Sequence, residues 1–117
     1  MSTSDRELLE LAAKAAGIAG HFVEKTPHDG YPRYSCGMGK SHQHVLLWNP
    51  LECDGDALRL AVKLRLEIYF FDGFGEVVAE HNTSSFEAGR EQYAEDMNAA
   101  TRRAIVRAAA EIGRSMP

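Results

Sequence analysis

The stretch 48–66 (WNPLECDGDALRLAVKLRL) constrains the fold most, because a strand stop, a helix start and a helical apolar stripe follow one another in it. Pro50 ends the preceding extended run, since proline lacks the amide proton that a strand ladder needs. Asp54 is a favourable N-cap, and Asp56 lies in the first helical turn, where negative charge complements the helix dipole. The stretch therefore predicts a helix over 54–64.

This predicted helix has an apolar face and a charged face. Four apolar residues recur with helical spacing and form the expected inner face: Ala57, Leu58, Ala61 and Leu64. Arg59 and Lys63 carry like charges one turn apart, which indicates a solvated face. Leu60 and Val62 widen the apolar surface, so we expect the helix to be covered on more than one side.

Length and charge narrow the class of protein. A chain of 117 residues has the usual size of one domain, and 44% hydrophobic residues suffice for one core. The net charge of −4 argues against non-specific nucleic-acid binding, which needs a basic surface. No run approaches the ~20 apolar residues that span a bilayer, and the polar N-terminus lacks the pattern of a secretion signal. We therefore expect a cytoplasmic protein that does not bind membranes.

Two further helices are predicted near the ends of the chain. Ser4 starts a capping box for a helix over 4–16. Its buried stripe is expected to comprise Leu8, Leu11, Ala12 and Ala15, with Leu9 as an extension. Asp96 caps a helix over 97–112, which Gly113 ends. The alanine-rich inner face of this last helix (Ala100, Ala104, Ile105, Ala108 and Ile112) predicts close approach to the sheet or to the first helix.

The strand signals lie between these helices. We expect an extended segment over 18–23 and short strands over 33–38 and 42–48. Apolar and polar residues alternate most regularly over 66–71 and 76–81. The glycine-containing turn between these last two strands predicts a β-hairpin.

The remaining polar segment, 82–95, is expected to be a loop with at most one helical turn over 86–92. The resulting order of elements is α-β-β-α-β-β-α. We therefore predict a single α+β layered domain over 1–117, in which three helices pack on an antiparallel-rich sheet of about four strands.

Three segments of the chain resemble a family of small proteins of tailed phages and prophages. They are RELLELAAKAAGI (6–18), WNPLECDGDALRLAVKL (48–64) and ATRRAIVRAAAEIG (100–113). Some members carry the name phage ABA (α-β-α) sandwich domain, and the family offers no agreed catalytic residues. The resemblance implies a phage or prophage origin and a bacterial host cell as the location. It also implies that 19–47 and 82–95 are variable inserts that would hold a function specific to this protein.

Four side chains have the chemistry of metal ligands: Cys36, His42, His44 and Cys53. Zn²⁺ is bound by thiolate and imidazole groups in tetrahedral geometry, and alternation would place both histidines on one strand face. The spacing C-x5-H-x-H-x8-C is not that of a standard zinc site, however. Ordinary histidines beside two free thiols are the plainer interpretation, because a cytoplasmic protein rarely keeps a disulfide. We expect no metal and no cofactor.

Other chemical motifs are weaker. A nucleophilic Cys36 would lack a group that orients its base. The segment 37–41 (GMGKS) lacks the first glycine of a phosphate loop, where Tyr34 stands. Asp54 and Asp56 could bind a divalent cation, but a helix start explains both. Four arginines of the last helix, Arg102, Arg103, Arg107 and Arg114, could contact an acidic partner, although a solvated arginine face is commoner.

These observations favour a non-enzymatic protein that acts by binding. We expect the partner to be a host protein or protein complex, or a second copy of the chain in a homodimer. The expected contact residues are Tyr31, Arg33, Tyr34, Lys40, Phe86, Arg90 and Tyr93. Tyr69 and Phe71 would line an interface if their face of the hairpin is uncovered. The narrowest form of this prediction, which the phage resemblance suggests, is inhibition of a host defence system such as a CRISPR complex.

Two alternatives stay open at this point. The first is a small ligand- or metal-binding module or enzyme that uses Cys36, His42 and His44, for which metal analysis of wild type and His44→Ala is the test. The second is nucleic-acid binding through the last helix, which predicts a strongly salt-dependent affinity.

Overall fold

The computed structural model describes residues 4–24, 36–39, 47–81 and 84–117, and for 84–88 the backbone alone. The elements in chain order are α1 (Asp5–Ala16), β1 (His21–Glu24), β2 (Cys36–Gly39), α2 (Asp54–Leu64), β3 (Leu66–Phe71), β4 (Glu76–His81), β5 (Ser84–Gln92) and α3 (Met97–Arg114). The α+β class is confirmed, with three helices and five strands in the described part of the chain, where about four strands were predicted. No helix in these residues is long and apolar enough to cross a lipid bilayer.

The strands form two antiparallel sheets. The smaller sheet pairs β1 with β2, and the larger one has the order β3-β4-β5. The predicted hairpin is confirmed, with a 3₁₀ turn at Asp72–Phe74 between its strands. Of the strand predicted over 42–48, residues 42–46 lie outside the described part, but Trp48 forms an antiparallel bridge with Met38.

The prediction of a loop over 82–95 is wrong, because most of this segment forms β5. The segment is polar and contains a glycine, which favoured a loop, yet β4 pairs with it from Glu76↔Gln92 to His81↔Ser84. Gly89 has a packing role, because an added Cβ would lie 2.0 Å from the Ala104 carbonyl oxygen. α3 therefore lies directly on the backbone of β5.

α3 is the central helix, with buried residues on most of its sides. They are Ala100, Ala104, Ile105, Val106, Ala108, Ala109, Ala110 and Gly113. At Gly113 an added Cβ would lie 2.0 Å from the Leu11 carbonyl oxygen, so α1 approaches α3 as closely as β5 does. The predicted close approach is confirmed at both neighbours. Gly113 was expected to end the helix, but the helix continues to Arg114. The missing side chain of Gly113 instead admits α1.

α1 runs parallel to α3. Asp5 forms an ion pair with Arg103 at 2.9 Å, and Lys14 Nζ donates to the Met116 carbonyl oxygen at 3.0 Å. The buried residues of α1 are Leu8, Leu9, Ala12, Ala13 and Ala16, whereas Leu11 and Ala15 of the predicted stripe are half-buried. The stripe differs because Leu9 and Ala13 pack against Met38 of β2. α1 is thus enclosed between α3 and the smaller sheet.

α2 has the predicted bounds but a different start and a narrower buried face. Its N-cap is Cys53, whose Sγ accepts a hydrogen bond from the Asp56 amide at 3.4 Å, while Asp54 is the first helical residue. Ala57, Leu60 and Ala61 are the buried residues of this helix. Leu58 and Val62 are exposed, so the expectation of cover on more than one side is wrong.

Candidate functional site

One face of the β3-β4-β5 sheet, which we call the open face, is turned away from α3. The strand register assigns eight described side chains to it: Glu67, Tyr69, Phe71, Glu76, Val78, Glu80, Arg90 and Gln92. Residues that oppose one another in an antiparallel ladder share a face, and Val77 and Ala79 on the other face belong to the core. The open face carries no helix from the described part of the chain.

The centre of the open face is aromatic. The rings of Tyr69 and Phe71 lie 6.1 Å apart between centroids, and these residues are 39% and 42% exposed. Val78, which is paired with Tyr69 and with Arg90 in the sheet, is only 3% exposed. Its cross-strand neighbours Tyr69 and Arg90 are long enough to lie over it. The condition on which Tyr69 and Phe71 would line an interface, an uncovered face, is met as far as the described helices are concerned.

A frame of carboxylates surrounds this centre. Arg90 forms an ion pair with Glu76, and Gln92 Nε2 donates to the same carboxylate at 3.3 Å. Glu67 and Glu80 face each other across β3 and β4. Among the described side chains of the open face, Arg90 is the cationic one, so this surface is acidic.

The Tyr69 hydroxyl donates to Glu67 within this frame. This hydrogen bond raises the pKa of Tyr69 above its ordinary value of 10.0, and partial desolvation and the charges of Glu67 and Glu80 act in the same direction. Tyr69 is therefore a neutral phenol at physiological pH. It can offer its ring to a partner while its hydroxyl stays bonded.

On the opposite face of the sheet, at its β3 margin, lies an apolar cleft of about 420 Å³ between α2, α3 and β3. Its lining comprises Asp54, Ala57, Leu58, Ile68, Phe70, Met97, Asn98, Thr101, Arg102 and Ile105. Leu58 and Phe70 are 62% and 53% exposed, which is unusual for large apolar side chains on neighbouring elements. Arg102 closes one end through an ion pair with Asp54 at 2.6 Å and a hydrogen bond to the Leu51 carbonyl oxygen at 2.8 Å.

Arg90 and Tyr93, the two predicted contact residues whose side chains the structure describes, lie on different sides of the sheet. Arg90 lies on the open face, whereas Tyr93 packs against the core on the other side of the sheet. The Tyr93 hydroxyl donates to Asp72 at 2.8 Å and its amide donates to the Gly75 carbonyl oxygen at 2.8 Å, which fastens the hairpin turn. Partial desolvation and then the bond to Asp72 raise the pKa of Tyr93. Tyr31, Arg33, Tyr34, Lys40 and the side chain of Phe86 lie outside the described part.

The two candidate metal-ligand cysteines lie near the buried side chain of Asn49. Asn49 Nδ2 donates to the Cys36 carbonyl oxygen at 2.8 Å, and the Cys53 amide donates to the Asn49 carbonyl oxygen at 2.9 Å. The Cys53 thiol is engaged as the cap of α2. His42 and His44 fall outside the described residues, within which no group of three or more His, Cys, Asp or Glu side chains could hold a metal ion. Metal binding by the full set therefore stays an untested alternative to the prediction of no metal.

The arginines of α3 are engaged in ion pairs within the chain. Arg103 contacts Asp5 and, at 3.8 Å, Glu91, and Arg107 contacts Glu91 as well. Arg102 is held by Asp54 and Arg114 by Glu111, at 2.6 and 3.5 Å. Three of these guanidinium groups join α3 to other elements and that of Arg114 pairs within the helix, which weakens the case for phosphate binding through α3. Asp56 is likewise occupied, since it accepts from the Asn49 amide at 3.0 Å and from Arg59 at 2.7 Å.

No protein-family model, curated protein or solved structure matches the chain. The resemblance to small phage proteins therefore stays a prediction.

Proposed function

We propose that this protein acts by binding another protein through the open face of its larger sheet. The observation that carries the proposal is the pair of exposed rings, Tyr69 and Phe71, which lie side by side over an otherwise shielded Val78. Tyrosine and other aromatic residues are enriched at protein interfaces, because they bury large areas at low cost in side-chain entropy. A rigid antiparallel sheet holds both rings in fixed positions.

Charge indicates the chemistry of the partner. The carboxylates of Glu67, Glu76 and Glu80 outnumber the guanidinium of Arg90 on this face, and the whole chain has a net charge of −4. A complementary surface would present an apolar or arginine side chain to the rings and basic residues to the frame. Arginine is the best single match, because its guanidinium stacks on aromatic rings and pairs with carboxylates.

The resemblance to phage proteins leads us to propose a bacterial host protein as this partner. A host defence complex, such as a CRISPR complex, is the narrowest form of the proposal. Inhibition would be steric: the open face would occupy a basic surface that the host protein needs for its own substrate. A basic surface on a nucleic-acid-binding defence protein fits the acidic frame.

The test compares substitutions of the two open-face rings with a control substitution outside that face. Immobilised wild type, Tyr69→Ala, Phe71→Ala and Phe74→Ala are incubated with a bacterial host lysate, and retained proteins are identified by mass spectrometry. Phe74 is an exposed aromatic residue of the hairpin turn outside the open face, so Phe74→Ala is the matched control. We expect one basic protein to be retained by wild type and by Phe74→Ala but lost by the other two variants.

The loss of affinity in each variant is then measured with the purified partner. Loss of a central interface aromatic costs about 2 kcal/mol or more, so the dissociation constant should rise by about 30-fold or more, and added salt should weaken binding of the wild type. Equal affinity of Tyr69→Ala and wild type would contradict the proposal.

The predicted contact residues that precede β2 supply a second comparison. The substitutions Tyr31→Ala, Arg33→Ala and Tyr34→Ala test whether these residues contact the partner. Point substitutions are preferred because deletion of 26–40 would also remove β2. If these three variants lose the partner while Tyr69→Ala retains it, the site belongs to that segment and not to the open face.

A further inference from the structure

Two carboxylates of the open face oppose each other without a counter-charge. Glu67 of β3 and Glu80 of β4 are direct cross-strand partners on this face, so their Cβ atoms lie about 5 Å apart. Like charges at such positions destabilise a sheet. Neither carboxylate forms an ion pair with any residue in the described part of the chain, and Glu80 is half-buried. The fold therefore retains a repulsive pair that it does not neutralise.

The third carboxylate of the open face, that of Glu76, is in a different situation. It pairs with Arg90 and accepts a hydrogen bond from Gln92 at 3.3 Å. In the strand register Arg90 is diagonal to both Glu76 and Glu80, but one guanidinium cannot neutralise three carboxylates. Because Arg90 pairs with Glu76, the excess negative charge is left at the Glu67–Glu80 end of the face.

Tyr69 links this carboxylate pair to the exposed rings. Its hydroxyl donates to Glu67. That hydrogen bond, then desolvation and the charges of Glu67 and Glu80, raise the pKa of Tyr69, as expected when both carboxylates lie near the phenol. The Tyr69 ring in turn lies beside that of Phe71, with 6.1 Å between centroids and a tilt of 32°. Two carboxylates and two exposed rings thus adjoin one another.

This combination matches a guanidinium better than an ammonium group. A guanidinium is planar, stacks on an aromatic face and carries five N–H donors, which is enough to reach two carboxylates at once. An ammonium group is a compact, strongly hydrated charge without a flat face. The pair of Arg90 with Glu76 shows a guanidinium held by a carboxylate on this same surface.

We propose that Glu67, Glu80 and Tyr69 form a subsite that takes an arginine side chain of the partner protein. The guanidinium lies against the Tyr69 ring and donates to both carboxylates, so that binding removes the repulsion between them. This inference rests on the function proposed above. It goes further in assigning the arginine to one end of the open face and in ranking lysine as the weaker ligand there.

The first test uses the full chain and two peptides. Wild type is titrated at low ionic strength, where exposed charges are least screened, with a blocked tripeptide that has a central arginine and with the same peptide that has a central lysine. NMR follows the ring signals of Tyr69. A cation–π contact at an exposed site should make the arginine peptide bind about two- to fivefold more tightly. Equal affinity for the two peptides, or unchanged Tyr69 signals, overturns the proposal.

Removal of one charge distinguishes the subsite from a purely structural role. Glu80→Gln relieves the repulsion, so we expect the thermal midpoint to rise by about 1–3 °C while affinity for the arginine peptide falls about threefold. Glu52→Gln makes the same charge change at an exposed position in the turn before α2 and should alter neither quantity. An unchanged peptide affinity in Glu80→Gln, or a thermal midpoint below that of wild type, contradicts the assignment.

The lysate experiment described above separates this inference from the proposed function. If wild type retains a host protein that Tyr69→Ala loses, but Glu80→Gln binds that protein as tightly as wild type, the function stands and the subsite is wrong. If the arginine peptide binds through Glu80 but no host protein is retained, the subsite stands and the proposed function fails.

Discussion

The two margins of the larger sheet differ in how closely helices approach them. At the β5 margin α3 lies on the strand backbone, with Gly89 facing Ala104 and Ala108. At the β3 margin the helices stand away from the strand and leave the apolar cleft of about 420 Å³, beside which Leu58 and Phe70 are exposed. One margin is closed and dry, and the other is open and apolar.

Side-chain size explains the difference. Small residues on both elements at β5 let two backbones meet and exclude water, which maximises close contact. At the β3 margin the large side chains of Leu58 and Phe70 line the cleft, and their outer surfaces stay in water. The closed margin therefore supplies stability, and the open margin is where binding can gain free energy from further burial.

The largest expected effect is at the closed margin. In Gly89→Ala the new Cβ would meet the Ala104 carbonyl oxygen at 2.0 Å and the Ala108 nitrogen at 2.7 Å, so α3 would have to move. We expect the free energy of unfolding to fall by about 3 kcal/mol or more. Urea denaturation followed by circular dichroism measures it. Gly73→Ala is the control, because nothing lies within 4 Å of its added Cβ, and equal costs for the two variants would refute the contact.

Two leucines of α2 allow a buried position and a cleft position to be compared within one helix. Leu60 is buried in the core, whereas Leu58 lies on the open cleft. In urea denaturation, Leu60→Ala should cost about 3 kcal/mol of unfolding free energy, and Leu58→Ala less than about 0.5 kcal/mol. A similar cost for both variants would show that the cleft is closed in solution.

The sequence predicted those elements whose signals are local. Asp96 caps α3 as expected, Ser4 caps α1, and the alternation over 66–81 yielded the hairpin. β5 was missed because its residues are polar and its strand depends on pairing with β4 and on cover by α3. The glycine that indicated a loop there, Gly89, is instead required by a helix that is distant in sequence.

The candidate site was harder to predict because it depends on which surfaces the helices leave uncovered. Tyr69 and Phe71 could be proposed for an interface only on the condition that their face is open. Phe70 and Leu58 look like core residues from their spacing, and only the distance between α2 and β3 leaves them exposed. Tyr93, one of the predicted contact residues, fastens the turn through Asp72, a role that its sequence position did not indicate.

Two adjacent valines of β4 allow the two faces of the sheet to be compared at one position along the strand. Val77 lies in the core and Val78 on the open face, although both are buried. Threonine has a similar shape, but its hydroxyl needs a hydrogen-bond partner. Val77→Thr should cost about 2 kcal/mol, whereas in Val78→Thr the surface neighbours Tyr69 and Arg90 can shift to admit water, so the cost should stay below about 1 kcal/mol. Thermal denaturation of both variants checks this, and the reverse order would mean that the open face is covered.

The smallest effect concerns the titration of Tyr69. Its raised pKa means that folding favours the neutral phenol, so this contribution to stability is complete below the ordinary pKa of 10.0 and is lost as the pH rises through the raised value. Glu67→Gln removes the charge that accepts the hydroxyl bond and should lower the pKa of Tyr69 towards 10.0. NMR of ¹³C-labelled tyrosine, assigned with Tyr69→Phe, measures the shift. Tyr93 is the internal control, because burial and Asp72 raise its pKa and Glu67 has no part in it. An unchanged Tyr69 pKa in Glu67→Gln would show that desolvation dominates there, and hence that the open face is drier than an uncovered sheet surface should be.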